Sequence, residues 1–262
     1  MRTKKGIVIT MLVLIVFAIC GSLYAQPYNT YTDLAGKTIG MESGSVWRNV
    51  ITNDVKARSK SVADNPTAVK ELREGIIDGV MTDLSIVKTW VNDPAFSDMK
   101  CIEIPLSIFS CPMGAMAHKD DAELMKKFNN FLAKIKEDGT LKAMQVRWLD
   151  SPVNSATKMP DVNAPKTGQK LVVGISLDSQ PFVYEGNGEL KGYSIELMLR
   201  FGAAENLVMD FQPSDFGQLL PNIMTKKTQM AITNISITPQ RQEMALMSDS
   251  IYDDGAGILV KK

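Results

Sequence analysis

The chain is short of the residues on which catalysis, metal binding and nucleic-acid binding depend. It has a single histidine, His118, so no Cys/His set has metal-ligand spacing and no serine or cysteine nucleophile has a plausible histidine partner. No cofactor motif replaces them. Its 29 basic and 29 acidic side chains cancel, which removes the electrostatic case for nucleic acid or an anionic membrane surface. Cysteine is scarce, with three in 262 residues. What is present, 45% hydrophobic and 22% charged residues, is an ordinary globular composition large enough for one big domain or two modest ones.

The N-terminus reads as a leader. Arg2, Lys4 and Lys5 precede an apolar run over 7–19, followed by Ser22-Leu23-Tyr24-Ala25. That is a secretory signal peptide over residues 1–25, cut after Ala25. The run falls short of the roughly 20 residues a membrane span needs, so an uncleaved anchor is the lesser alternative. A lipoprotein at Cys20 is disfavoured because Ile19 is not small. Export leaves Cys101 and Cys111 in a compartment that permits disulfides; both lie in apolar strand-like segments, where two buried thiols are the plainer reading and a bridge the alternative.

Beyond the leader, strand and helix patterns alternate. Residues 37–41 read as a strand, and Glu42-Ser43-Gly44-Ser45 opens a helix carrying Val46, Trp47, Val50 and Ile51. Asn65-Pro66-Thr67 starts a second helix, residues 79–81 form a buried strand ending at Thr82-Asp83, and 84–91 is helical. Strands over 100–104 and 111–118 precede an amphipathic helix over 120–138, with Leu124, Phe128, Phe131, Leu132 and Ile135 at helical spacing. Residues 150–169, with Pro152, Pro160 and Pro165, read as a linker. Strands then recur at 170–175, 208–211, 230–235 and 258–260. Such alternation predicts parallel sheets with right-handed crossovers, and ligands bind beyond the carboxyl ends of the strands.

One such end stands out. The apolar run 230–235 leads to Thr238-Pro239, a hydroxyl N-cap followed by proline at the first helical position. Asn234, Ser236 and Arg241 should therefore cluster where a buried strand hands over to a helix N-terminus, a place that suits a carboxylate. Arg241 in the first turn is opposed by the helix dipole unless an anion sits beside it, and its guanidinium can grip a carboxylate through two hydrogen bonds. A solvated surface arginine is the alternative.

The run Ser236-Ile237-Thr238-Pro239-Gln240-Arg241-Gln242 resembles the S-x-T-x-x-R motif of the polar amino-acid solute-binding proteins of ABC importers, the bacterial extracellular solute-binding family 3. Met247-Ser248-Asp249-Ser250-Ile251-Tyr252 resembles that family's F-S-x-P-Y-Y stretch, Gln180-Pro181-Phe182 its P-P-F segment, and Gly192-Tyr193-Ser194-Ile195-Glu196-Leu197 its G-F-D-x-D-L. Gly139-Thr140-Leu141 with Val146-Arg147-Trp148-Leu149 resembles its usual C-terminal G-T-x…K-W. The resemblance implies an α/β fold of the two-lobed type II periplasmic-binding-protein (Venus flytrap) class, each lobe a mainly parallel sheet flanked by helices.

The matching segments occur in exchanged order, which implies a circular permutation. Lobe two is expected at 31–105 and lobe one at 106–149 plus 170–262, with 150–169 as the permutation linker and a single covalent crossover near 104–107. Rejoining at the surface is physically reasonable, because domain termini often lie close together. A piece of a longer tandem array is the rival explanation, and a loosened hinge allows either a monomer or a lobe-swapped dimer.

The resemblance also implies roles. Arg241 would hold a ligand α-carboxylate with Ser236 and, from the other lobe, Gly44 and Ser45. Asp83 would accept the α-ammonium. Thr233 and Asn234 lie on the strand-to-helix turn, and Phe216 matches the aromatic that packs on the ligand. Ser179 stands where the family usually has a second aromatic ring. Glu42, at a position that faces the ligand side chain, would favour a basic amino acid, with Asp178 adding to it. Helix capping for Asp83 and Ser45, core packing for Phe216 and a solvated helix-start glutamate are the bland alternatives. The implied function is a periplasmic, non-enzymatic protein that captures a free amino acid and delivers it to the membrane permease of an ABC importer, without nucleic acid, cofactor or metal. A ligand-sensing module for a separate receptor and a dehydratase-like enzyme on the same fold are the alternatives.

Overall fold

The computed structural model describes residues 28–154 and 156–262, so the expected signal peptide over 1–25 lies outside the described residues. Two five-stranded sheets form the framework. The first opens with β1 (Thr38–Glu42), α1 (Trp47–Asn53), β2 (Arg58–Val62), α2 (Asn65–Glu74), β3 (Gly79–Asp83), α3 (Leu84–Val91) and β4 (Met99–Ile104). β1 is parallel to β2 and to β3, as the strand–helix alternation predicts. Local chemistry sets the helix boundaries. Asp64 caps α2 by accepting from Thr67 N, proline follows at its start, and Gly75 closes it in the left-handed conformation at φ 74°.

The second unit holds β5 (Cys111–Met113), β6 (Met116–Ala117), α4 (Ala122–Glu137) and α5 (Thr140–Trp148). Beyond the linker come β7 (Lys170–Ile175), the hairpin β8 (Tyr184–Gly186) and β9 (Glu189–Lys191), α6 (Tyr193–Glu205) and β10 (Val208–Pro213). The chain continues through α7 (Leu219–Met224), β11 (Met230–Ala231), α8 (Pro239–Met244), β12 (Leu246–Met247) and β13 (Tyr252–Asp254). The second sheet has the order β10-β7-β11-β6-β12, and β13 pairs with β5 beside it. In this sheet β10 and β11 run parallel to β7, while β6 is antiparallel to β11 and to β12.

The last strand, β14 (Ala256–Lys261), corrects one expectation. It belongs not to lobe one but to the first sheet, antiparallel between β3 and β4. Ile258 and Val260 join the core on one face of that sheet and Leu259 the core on the other. A continuous apolar run buried on both faces fits a central strand. The two sheets are therefore joined twice, by 105–110 and at Gly255, rather than by a single crossover. The 111–118 segment also breaks into two short strands at Gly114, where an added Cβ would lie 2.8 Å from Ser248 Oγ.

The segments on either side of 150–169 share one core. Phe128 and Phe131 from α4 pack on Phe201 of α6, with ring centroids 5.1 and 5.5 Å apart. Glu196 of α6, fully buried, accepts hydrogen bonds from Arg147 Nη1 at 2.8 Å, Trp148 Nε1 at 2.6 Å and Arg200 Nε at 2.8 Å. The linker is held against this unit. Gln180 Nε2 donates to Val153 O at 3.0 Å, and Lys191 Nζ donates to Thr157 O at 3.1 Å.

Candidate functional site

Residues at or just beyond the carboxyl ends of β1, β3, β7 and β11 meet across the boundary between the two sheets. Glu42 ends β1 and Asp83 ends β3. Thr233 to Ser236 follow β11, and Asp178 and Ser179 follow β7.

Arg241 sits where the sequence places it. Its backbone N–H donates to the Thr238 cap at 3.2 Å, so the N-cap and proline fix the residue in the first turn of α8. The side chain turns inward and is only 8% exposed, which excludes a solvated surface arginine. Nη1 donates to Ser236 O at 2.7 Å and Nη2 to Gly44 O at 3.0 Å, the latter across the lobe boundary. The guanidinium carbon lies 5.5 Å from the Phe216 ring centroid, within cation–π reach. Phe216 is thus both core and part of the site. Burial pulls the Arg241 pKa below its ordinary value, while the neighbouring Asp83 carboxylate opposes the shift.

Gly44 explains how the two lobes come so close. It has φ +81°, a conformation that glycine adopts without strain, and an added Cβ would stand 2.9 Å from Gly217 Cα of the other lobe. The Ser45 hydroxyl donates to Glu42 O at 2.6 Å, so it stabilises this turn rather than facing Arg241.

Asp83 is 2% exposed. Asn234 Nδ2 donates to its Oδ2 across the boundary, while Oδ1 is buried without a partner. Its side chain makes no capping hydrogen bond to α3. Burial and then the nearby Asp254 carboxylate push the Asp83 pKa well above the carboxylate range. Thr233 braces Asn234 through a 3.0 Å contact between Oγ1 and Oδ1, and Thr233 O accepts from Ser194 Oγ at 3.0 Å.

Glu42 is not a solvated helix-start residue, being 5% exposed. Burial pushes its carboxyl up to about 8, and the carboxylates of Asp178, Asp83, Asp64 and Asp215 add to the shift. This side of the cleft is therefore crowded with carboxyl groups. Asp178 is raised as well, by burial and then by Asp64 and Asp215. Ser179 is fully buried and its hydroxyl lacks a partner.

Three contributors were not apparent from sequence. Asp254 ends β13 at one of the two lobe connections, accepting from Ser85 N at 3.2 Å and Gly255 N at 2.8 Å. Its pairing partner Cys111 has a buried thiol in contact with the Ser236 hydroxyl, and burial pushes that thiol up to about 12. Cys101 and Cys111 are both free. Asn65, at the start of α2, reaches across to donate to Asp178 O at 3.2 Å. Asp254 carried only the signal of an acidic residue just before a glycine, and Asn65 read as part of a helix start.

Beside these groups a groove of 760 Å³ between the lobes is lined by Asn65, Trp90, Asp178, Gln180 and Tyr184 among others. A second space, of 260 Å³, is lined by Gly44, Phe216, Ile235 and Arg241 with neighbouring apolar residues. Among the described residues no helix is long and apolar enough to cross a membrane.

The chain is 32% identical over 123 residues to the ABC transporter arginine-binding protein 1 of Escherichia coli (strain K12), covering 46% of this chain and 51% of the relative. It is 28% identical over 134 residues to the L-cystine-binding protein TcyJ of the same strain, covering 47% and 46%. The chain thus aligns with about half the length of the curated relatives it matches. Among solved structures it resembles the ancestral amino acid-binding protein AncCDT-1, a precursor of cyclohexadienyl dehydratase, at 10% identity and a TM-score of 0.46, covering 86% of this chain and 82% of that one. The model of the bacterial extracellular solute-binding proteins, family 3, matches residues 18–151 and again 171–262, the two stretches on either side of the linker. With most of its length matched in this way, the chain belongs to the bacterial extracellular solute-binding proteins, family 3.

Proposed function

We propose that this protein captures a free amino acid between its two lobes and delivers it to the permease of an ABC importer. The observation that carries the reading is that one cleft holds both a buried guanidinium, Arg241, and a buried carboxyl, Asp83, with one unpartnered oxygen. An anion grip and a cation grip in one cleft match the two ends of a zwitterion. In this reading the ligand α-carboxylate takes the guanidinium positions that Ser236 O and Gly44 O occupy here, helped by Ser236 and by the Gly44 turn, which Ser45 holds in place. The α-ammonium meets Asp83, with Thr233 and Asn234 fixing that carboxylate, and Phe216 packs on the ligand.

A basic side chain fits the other end. The Glu42 carboxyl has no hydrogen-bond partner among the described residues and stands among other carboxyl groups, so a cation there relieves their repulsion. The arginine-binding relative supports the same choice. Calorimetric titration of residues 26–262 with the twenty amino acids and ornithine tests this, and saturable binding of arginine, lysine or ornithine is expected. Binding of none of the panel by the folded protein would sink the reading. Ligand-dependent uptake by a reconstituted permease separates an importer subunit from a sensor, and turnover of the bound ligand would establish an enzyme.

The exchanged order is read as a circular permutation. Supporting it, the first and last described segments flank the same strand. Lys100 Nζ of β4 donates to Asn29 Oδ1 at 3.2 Å, and Lys262 N donates to Asp98 O at 3.0 Å. We place the protein in the periplasm, reached through the leader over 1–25.

A further inference from the structure

Asn65 is 1% exposed, yet its amide is only half used. Nδ2 donates to the Asp178 carbonyl at 3.2 Å, while Oδ1 is buried without a partner. The orientation is determined by chemistry, since a backbone carbonyl only accepts and the amide nitrogen must face it. A buried carbonyl oxygen with no donor is costly and calls for a reason. The Ser179 hydroxyl, one residue beyond Asp178, is also buried without a partner. Strand register brings Glu42 to the same place. It pairs with Val62, three residues before Asn65, and the charges of Asp64 and Asp178 bear on its carboxyl.

We propose that Asn65 is a specificity-determining residue of the cleft: its nitrogen latches the Asp178 carbonyl across the lobe boundary, and its Oδ1, with the Ser179 hydroxyl, accepts hydrogen bonds from the cationic end of the ligand side chain. This rests on the basic-ligand reading and narrows it. The two Glu42 oxygens, Asn65 Oδ1 and Ser179 Oγ make four acceptors. An ammonium has three N–H donors, whereas a guanidinium has five in a fixed plane. The site therefore prefers a guanidinium, whose donors spread over a rigid plane and reach acceptors carried on separate elements, whereas an ammonium presents its three donors from a single atom. Asn65 also couples recognition to closure, since the same amide bridges the lobes.

The test is calorimetric titration of the native protein, Asn65→Leu, Asn65→Asp and Ser179→Ala with L-arginine and L-lysine, after thermal melts confirm folding. The native protein should prefer arginine by about tenfold or more, the size expected for hydrogen bonds to a charged group. Asn65→Leu and Ser179→Ala should each reduce the arginine-to-lysine ratio several-fold. Asn65→Asp, which keeps the acceptor and loses the Asp178 latch, should bind both ligands more weakly while retaining the preference. A role in closure alone would weaken both ligands equally in Asn65→Leu, and an unchanged ratio there and in Ser179→Ala overturns the inference while leaving the basic-ligand reading intact. A native preference for lysine also overturns it. A native protein that binds neither amino acid overturns both readings together.

Discussion

At the scale of single residues, the site is governed by burial of charge. Arg241 is held by two backbone carbonyls and Asp83 by one amide, so each is partly satisfied within the protein and each is well placed to exchange those partners for a ligand. Glu42 has no such partner, and its raised pKa has a thermodynamic consequence. A carboxyl with a folded pKa near 8 against an ordinary 4.5 binds more protons in the folded than in the unfolded protein between those values. Its contribution to stability is full below about pH 4.5 and is lost as pH rises through 8. The ligand-free native protein should therefore lose melting temperature between pH 5 and pH 8.5, by more than Glu42→Gln does over the same range. A parallel pair of pH profiles would show that Glu42 is not the group responsible. A bound side-chain cation should flatten the native profile, since it stabilises the ionised carboxylate. The Arg241 position was legible in the sequence because Thr238-Pro239 fixes a helix start and so fixes where the arginine must lie. The buried state of Glu42 was not, because it depends on lobe contacts that no local pattern encodes.

At the scale of elements, two features do more than their local sequence announces. Glu196 joins α5 to α6 across the linker through one carboxylate and three donor side chains. Removing the carboxylate leaves the buried Trp148 N–H without its partner and releases two partly exposed arginines, at a cost of about 1–3 kcal/mol. Glu196→Leu should lower the denaturant midpoint accordingly while leaving ligand selectivity unchanged, as chemical denaturation and titration would show. A loss below about 0.5 kcal/mol, the range of ordinary surface substitutions, would mean that the two segments are not joined through this group. The Gly44 turn is the second feature. Gly44→Ala brings strain at φ +81° and a contact with Gly217, so affinity should fall for every ligand, with each lobe still folded. Strand–helix alternation revealed most of the elements. It misplaced β14, because an apolar run reads the same in either sheet, and only pairing with β3 and β4 decides between them. The run over 111–118 likewise concealed its break at Gly114.

At the scale of the whole molecule, the segments on either side of 150–169 meet at one cleft. Arg241 and Phe216 come from after the linker, Glu42 and Asp83 from before it, and contacts such as Arg241–Gly44 and Asn234–Asp83 bind the two lobes to each other. The double connection through 105–110 and Gly255 follows from β14 lying in the first sheet. If the order is a permutation, a chain rebuilt as 170–262 followed by 28–149, with Lys262 joined to Tyr28, should fold and bind the same ligand with the same selectivity. Failure of a folded rebuilt chain to bind would favour a piece of a tandem array. The family was readable from short motifs around turns, since a turn that must present backbone groups to a ligand tolerates few residue types. Details of the cleft were not, because they arise where residues more than a hundred positions apart meet.

The most direct measurement is the thermal shift of residues 26–262 with amino acids present, for the native protein beside Arg241→Ala. A ligand at 100 times its dissociation constant should stabilise the native protein by about 2.7 kcal/mol. A basic amino acid should raise the native melting temperature and leave that of the mutant unmoved. Equal shifts in both proteins, or none in the native one, would contradict a binding cleft built on Arg241.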